Sequence, residues 1–162
     1  MRGVLIFGNS GSGKSTLAKS LADSDDLAHF DLDTIAWLPT DPPQRMPVAE
    51  SAEQISRFLS ENSDWVVEGC YTDLIEITSR YATEMIFLNL SVDDCIENAK
   101  NRPWEPHKYP SKELQDENLE MLLDWIRAYP TREDVCSLNA HQQLYDNFEG
   151  IKSMLNANET RK

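Results

Sequence analysis

Short, wholly apolar runs alternate with amphipathic segments along most of the chain. Residues 3–7 are apolar throughout, the pattern of a strand buried on both faces. Residues 14–22 follow with Leu17 and Leu21 at helical spacing. A second short strand is predicted at 28–32 and a third at 65–67, ending at Glu68-Gly69. Residues 38–47 carry Pro39, Pro42, Pro43 and Pro47 and read as a loop. Between that loop and the third strand, Ala52, Ile55 and Leu59 stripe a helix over 49–59.

Residues 85–90 form the fourth predicted strand, and Ser91-Val92-Asp93-Asp94 then opens a helix with a capping-box-like start. Three prolines bar regular structure from 102–110. A single long helix is predicted over 111–129, with Leu119, Leu122, Leu123 and Ile126 on one face. Thr131 to Asp134 resembles a second capping box. A fifth strand at 142–145, a last helix at 150–155 and a frayed end at 156–162 complete the pattern. Strands alternating with helices predict a parallel α/β sheet with right-handed crossovers.

The segment Gly8-Asn9-Ser10-Gly11-Ser12-Gly13-Lys14-Ser15 fits G-x-x-x-x-G-K-[ST]. Glycines there let the backbone curve into a concave row of N–H groups that approaches phosphate oxygens closely. The loop opens a helix, whose N-terminus favours anions. Lys14 supplies charge for the β- and γ-phosphates, Ser15 a hydroxyl for Mg²⁺, and Thr16 continues the helix. Chance produces such a match in roughly one chain of this length in two hundred. Its place between a predicted strand and a predicted helix makes the match specific, so ATP with Mg²⁺ is the expected cofactor.

Ligands of open parallel sheets sit beyond the C-terminal ends of the strands. Three acids fall there. Asp31 is a candidate for the metal shell, and Asp33 for the group that receives the proton of an attacking hydroxyl. Glu68 is a second candidate for the Mg²⁺ side, together with Ser15. The fourth strand ends in Asn89 rather than an acid. Arg102 and Lys108 supply positive charge in the proline-rich segment, and Arg127 and Arg132 follow from the helical region after it. Trp37 is either a platform for a flat substrate or a space-filling side chain. Arg45 and Arg57 are the cations bordering the expected acceptor region. His29, His107 and His141 lack metal-ligand spacing.

From residue 2 to about 155 the chain resembles small P-loop kinases related to adenylate, shikimate and gluconate kinases. It is most similar to adenylate-kinase-like proteins labelled DNA topology modulation proteins. The likeness rests on residues 8–16, Asp31-Leu32-Asp33 with Trp37, residues 65–71 and 85–90, and the helix carrying Arg127. It implies a P-loop NTPase fold with a five-stranded parallel sheet of order 2-3-1-4-5 and helices on both faces. It further implies one domain spanning 1–162, an acceptor-binding region at about 33–64 and a short lid at about 102–111. Lys14, Asp33, Arg102, Arg127 and Arg132 are then the expected catalytic residues. The group usually has Asp-Gly-Asn-Tyr where this chain has Glu68-Gly69-Cys70-Tyr71, and Asp at the position of Asn89. Arg80 is the nearest match to an arginine expected after Tyr71.

Composition narrows the partners. The net charge is −13, from 28 acids against 15 bases, which opposes a nucleic-acid-binding surface. No apolar run approaches the ~20 residues of a membrane span. Three cysteines, Cys70, Cys95 and Cys136, form no C-x-x-C, and fit a reducing cytoplasm. The chain enters its first strand at once, which leaves no room for a secretory leader. The expected activity is phosphoryl transfer from Mg-ATP to a small acceptor. The alternatives are an adenylate-type nucleoside monophosphate kinase and an ATP-binding regulatory protein.

Overall fold

The computed structural model describes residues 1–158. Along the chain run β1 (Gly3–Gly8), α1 (Lys14–Asp25), β2 (Ala28–Asp31), α2 (Asp33–Ala36), β3 (Trp37–Leu38), β4 (Gln44–Arg45), α3 (Val48–Glu61), β5 (Trp65–Gly69) and α4 (Thr72–Ser79). They are followed by β6 (Glu84–Leu88), α5 (Val92–Lys100), α6 (Lys112–Glu117), α7 (Leu119–Arg127), α8 (Leu138–Asn147) and β7 (Ile151–Leu155). Five strands form one parallel sheet in the order β2-β5-β1-β6-β7. Counted among sheet strands alone, this is the expected 2-3-1-4-5.

The central strand is apolar throughout because both its faces are covered. Val4 and Ile6 pack with Ala18, Cys95, Leu123 and Ile126, the side of α1, α5 and α7. Leu5 and Phe7 pack with Ile55, Leu74, Ile75 and Phe87, the side of α3 and α4. The period of two along one strand thus feeds two helix layers. Every residue of β1 is buried. None of the helices among the described residues is long and apolar enough to cross a membrane.

Several expected elements differ, mostly in the last third. The single helix expected over 111–129 is two helices meeting at Asn118, whose side-chain amide donates to the Tyr109 hydroxyl at 2.8 Å. The Thr131–Asp134 pattern opens no helix, because the Asp134 carboxylate instead accepts from the Cys136 N–H. Ser137 provides the cap of α8, accepting from the Ala140 N–H. Residues 142–145, expected as a strand, lie inside α8, where Leu138, His141, Leu144 and Tyr145 face the sheet at helical spacing. Residues 151–155, expected as a helix, are the fifth strand, paired in parallel with β6 from Glu84↔Ile151 to Leu88↔Leu155. It is an edge strand with three exposed positions, so it lacks the apolar run that marked the others. The 38–47 loop contains a two-stranded antiparallel hairpin, β3 with β4, and Pro42 and Pro43 lie in its turn. Of the expected frayed end, residues 159–162 lie outside the described residues.

Candidate functional site

The loop between β1 and α1 is shaped by glycines where no other residue fits. Gly11 has a φ of 80°, and a Cβ there would come within 2.4 Å of the Cys95 carbonyl oxygen. Gly13, the N-cap of α1, has a φ of 91°. The loop carbonyls are taken up by side chains. Asn98 donates to the Gly11 oxygen at 2.8 Å and Asn158 to the Ser12 oxygen at 2.9 Å. Lys14 Nζ donates to the Asn9 oxygen at 2.8 Å. Asn9 in turn donates through Nδ2 to the Ile126 oxygen at 3.2 Å, which ties the loop to the end of α7. Among the described residues, the Ser12 hydroxyl is buried without a partner. An unpartnered hydroxyl and a lysine folded over its own loop, at a helix N-terminus, are what a phosphate chain would fill. Ser10 sits on this loop, and Thr16 is exposed on the first turn of α1.

The acids assemble on the strand ends beside it. Asp31 pairs with Glu68 across β2 and β5, and His29 with Val66. These side chains share the sheet face covered by α1, whose first turn carries Ser15. The Ser15 hydroxyl donates to Glu68 Oε1 at 2.6 Å, and His29 Nε2 lies 2.7 Å from Glu68 Oε2. Glu68 is only 2% exposed. Sequence reasoning assigned His29 no role; its diagonal placement, one pair back along the β2–β5 ladder, was the available signal. Ser15, Glu68 and Asp31 are hard oxygen donors. They are few enough to leave positions for phosphate and water, a donor set that fits Mg²⁺.

Asp31 and Asp33 differ in environment. Asp31 accepts the Asp33 N–H at 2.9 Å. Burial, then the neighbouring Asp33 and Glu68 charges, pushes its carboxyl above the usual range. Burial also works against the Asp33 carboxylate. There the Lys108 ammonium and the Tyr71 hydroxyl outweigh it and hold the group below the usual range. Tyr71 donates to Asp33 Oδ1 at 2.6 Å, and Trp37 Nε1 donates to the Tyr71 oxygen at 2.8 Å. Arg45 lies over the Tyr71 ring, 4.7 Å from its centroid, and binds both oxygens of Asp73 through Nη2.

Lys108 arches from the 102–111 segment onto this pair, with Nζ 3.0 Å from Asp33 Oδ2 and 3.8 Å from Asp31 Oδ2. Arg102 instead pairs with Glu105 at 3.1 Å, inside its own segment. Arg127 is exposed and paired with Asp124 at 3.0 Å. Arg132 stacks on Trp125 and lies 3.1 Å from Asp134. The structure thus gathers Lys14, Ser15, Asp31, Asp33 and Glu68, with Lys108 added. In this conformation the three arginines pair with carboxylates on their own segments.

The turn that presents Tyr71 is held from beneath. His141 is fully buried and meets the Cys70 carbonyl through Nε2 at 2.7 Å and the Tyr129 hydroxyl through Nδ1 at 2.7 Å. The carbonyl only accepts, so the proton is on Nε2 and the Tyr129 hydroxyl donates to Nδ1. Burial pushes the His141 imidazole down to about 4. Cys70 and Cys136 are both free and buried, with their sulfurs 3.3 Å apart.

No family model and no curated protein matches the chain. Solved structures do. A sugar kinase from a Janibacter species, solved without ligand, is 16% identical, with 90% of this chain and 91% of that one covered and a TM-score of 0.51. A shikimate kinase from Aquifex aeolicus is 16% identical, with 94% and 85% covered and a TM-score of 0.51. The chain has the P-loop NTPase fold. At these identities the likeness concerns architecture, and the chemistry must be argued from the residues.

Proposed function

We propose that the protein transfers the terminal phosphoryl group of Mg-ATP to a hydroxyl of a small acceptor. The observation that carries this reading is the convergence of Ser15, Glu68, Asp31 and Asp33 at the strand ends beside the phosphate loop. In this reading residues 8–16 hold the nucleotide, and Lys14 swings from the Asn9 carbonyl onto its phosphates. Ser15, Glu68 and Asp31 would hold Mg²⁺, which would offset the charge on the phosphates. Asp33 receives the acceptor hydroxyl as a hydrogen-bond donor and aims its oxygen at phosphorus. A depressed carboxylate suits that task, because phosphoryl transfer asks for positioning more than for a strong base.

Residues 33–64, with Trp37, wall the acceptor side, and 102–111 act as a lid that excludes water. Arg102 braces the lid, and Arg127 and Arg132 stand as reserve phosphate clamps at the ends of α7 and the next turn. The adenylate-type alternative wants free arginines on the acceptor side, and Arg45 is already bound to Asp73. A DNA-linked role finds no support in a net charge of −13.

The test is ADP release from Mg-ATP across a panel of hydroxyl-bearing metabolites, with phosphorylated product identified by mass. Acceptor-stimulated release is expected with at least one member. Failure to bind any nucleoside triphosphate in calorimetry would sink the reading.

A further inference from the structure

The 102–118 segment is a self-contained arm. Trp104 Nε1 donates to the Tyr109 oxygen at 3.0 Å, and the Lys108 and Tyr109 N–H groups both donate to the Glu105 oxygen at 3.0 Å. The Glu105 N–H donates to Gln115 Oε1 at 2.8 Å, and Gln115 Nε2 returns to the Pro103 oxygen at 3.1 Å. Among the described residues, the hydrogen bonds and ion pairs of 103–111 either stay within 102–118 or run from Lys108 to Asp31 and Asp33. One ammonium therefore latches the whole arm to the acid pair.

That ammonium stands where a cation is wanted. It lies among Asp33 Oδ2 at 3.0 Å, Glu105 Oε2 at 3.4 Å and Asp31 Oδ2 at 3.8 Å. The contact to Asp31 is beyond hydrogen-bond length, so this oxygen is the least committed. Its other oxygen already holds the Asp33 N–H. Glu68 is the register partner of Asp31 on the neighbouring strand. A divalent ion shared by Asp31 and Glu68 would lie within a few ångströms of the Lys108 ammonium, and like charges at that separation repel strongly in a partly buried site.

We propose that Lys108 is an internal counter-ion that competes with a divalent cation: it latches the arm onto Asp31 and Asp33 until metal binding at Asp31 and Glu68 releases it. The release clause needs only the metal. The further step, in which the freed ammonium turns to the transferred phosphoryl group, rests on the proposed kinase reading.

The experiment is done on the full chain without nucleotide, so its failure is distinct from failure of that reading. Free Mn²⁺ is followed by electron paramagnetic resonance during titration of the wild type, Lys108→Met, Lys108→Gln and Lys112→Met. Lys112 is an exposed lysine of α6 paired with Asp116, and its variant matches the change in net charge. Removing the competing ammonium should tighten Mn²⁺ binding about fivefold or more in both Lys108 variants, with Lys112→Met within about twofold of wild type. In protein labelled with 5-fluorotryptophan, the Trp104 ¹⁹F resonance should move on Mg²⁺ addition to the wild type. In the Lys108 variants it should start displaced and ignore the metal. Equal or weaker Mn²⁺ binding in folded Lys108 variants overturns the proposal. So does a Trp104 signal that ignores metal in the wild type, or an acid cluster that takes no Mn²⁺ in any of the proteins.

Discussion

The cradle after β1 is backbone from the single stretch 8–16, whereas the wall facing it is made of side chains as far apart as Asp33 and Lys108, 75 positions along the chain. The cradle's curve needs glycines at set positions, and a collision with the Cys95 carbonyl enforces Gly11. The wall needs Tyr71 from the end of β5, Trp37 from a short hairpin and Lys108 from a proline-rich arm, each placed by packing. The cradle is thus one stretch of chain braced from outside by Asn98, Asn158 and the Ile126 carbonyl, whereas the wall is assembled wholly by tertiary packing. Damage to the first should cost the most turnover, and damage to the second should be graded.

The largest expected effect is on the donor side. Lys14→Ala removes the charge that meets the phosphates as negative charge develops, a loss of roughly a hundred- to a thousandfold in turnover. The fold should survive, because among the described residues the Lys14 ammonium bonds only the Asn9 carbonyl of its own loop. Acceptor-stimulated ADP release and a urea melt check both halves of the expectation. Full activity in a folded variant would break the comparison at its root.

The same contrast explains what could be read in advance. The β1–loop–α1 unit carries its own instructions: an apolar run, glycines at turn positions and a lysine at the helix start. The strand-end acids were legible too, because a parallel sheet places ligands at one edge. Residues 151–155 were not, since an edge strand whose first three residues are exposed is defined by its pairing with β6 and not by an apolar pattern. His29, Asn98, Asn158 and the His141 network escaped notice for a similar reason. Each is an ordinary polar residue until the fold brings its partner alongside. Lys108 was visible as a lid charge, but its preference over Arg102 for the acid pair depends on the turn at Glu105.

Acid should loosen the acceptor half through His141. Burial lowers its folded pKa to about 4, below the ordinary 6.5 of an exposed imidazole. Between these values the unfolded chain binds a proton that the folded one does not. Stability from this group is complete above about pH 6.5 and falls as the pH drops toward 4, by about 3 kcal/mol in all. Urea midpoints measured across that window should fall in the wild type and fall less in His141→Asn. Parallel profiles for the two proteins would remove His141 from the account.

Asp33→Asn keeps the shape of the side chain and removes its charge. Turnover should drop on the order of tenfold to a hundredfold. ATP affinity in calorimetry should stay near the wild-type value, because Asp33 faces Tyr71 and Lys108 rather than Ser15. A collapse of ATP affinity would move Asp33 to the metal side and exchange its role with that of Asp31.

Tyr71→Phe is the finest cut. The ring is 4% exposed and belongs to the core, and Arg45 lies above it, so phenylalanine keeps both the packing and the cation contact. Only the hydroxyl goes. Asp33 then loses a donor at 2.6 Å, and the Trp37 indole loses an acceptor at 2.8 Å. Trp37 is 38% exposed, so water can take over its bond. Asp33 keeps Lys108, and its carboxylate stays ionised but less firmly aimed. One such hydrogen bond to a charged group is worth about 1.5 kcal/mol at the low end, or roughly tenfold. The loss should fall on kcat and on the acceptor KM, with nucleotide affinity unchanged. If kcat instead falls as far as in Asp33→Asn, the hydroxyl does more than orient the carboxylate, and Tyr71 joins the residues that handle the acceptor's proton. If nothing changes, the Tyr71 hydroxyl does not aim Asp33, and the wall is held by fewer contacts than its geometry suggests.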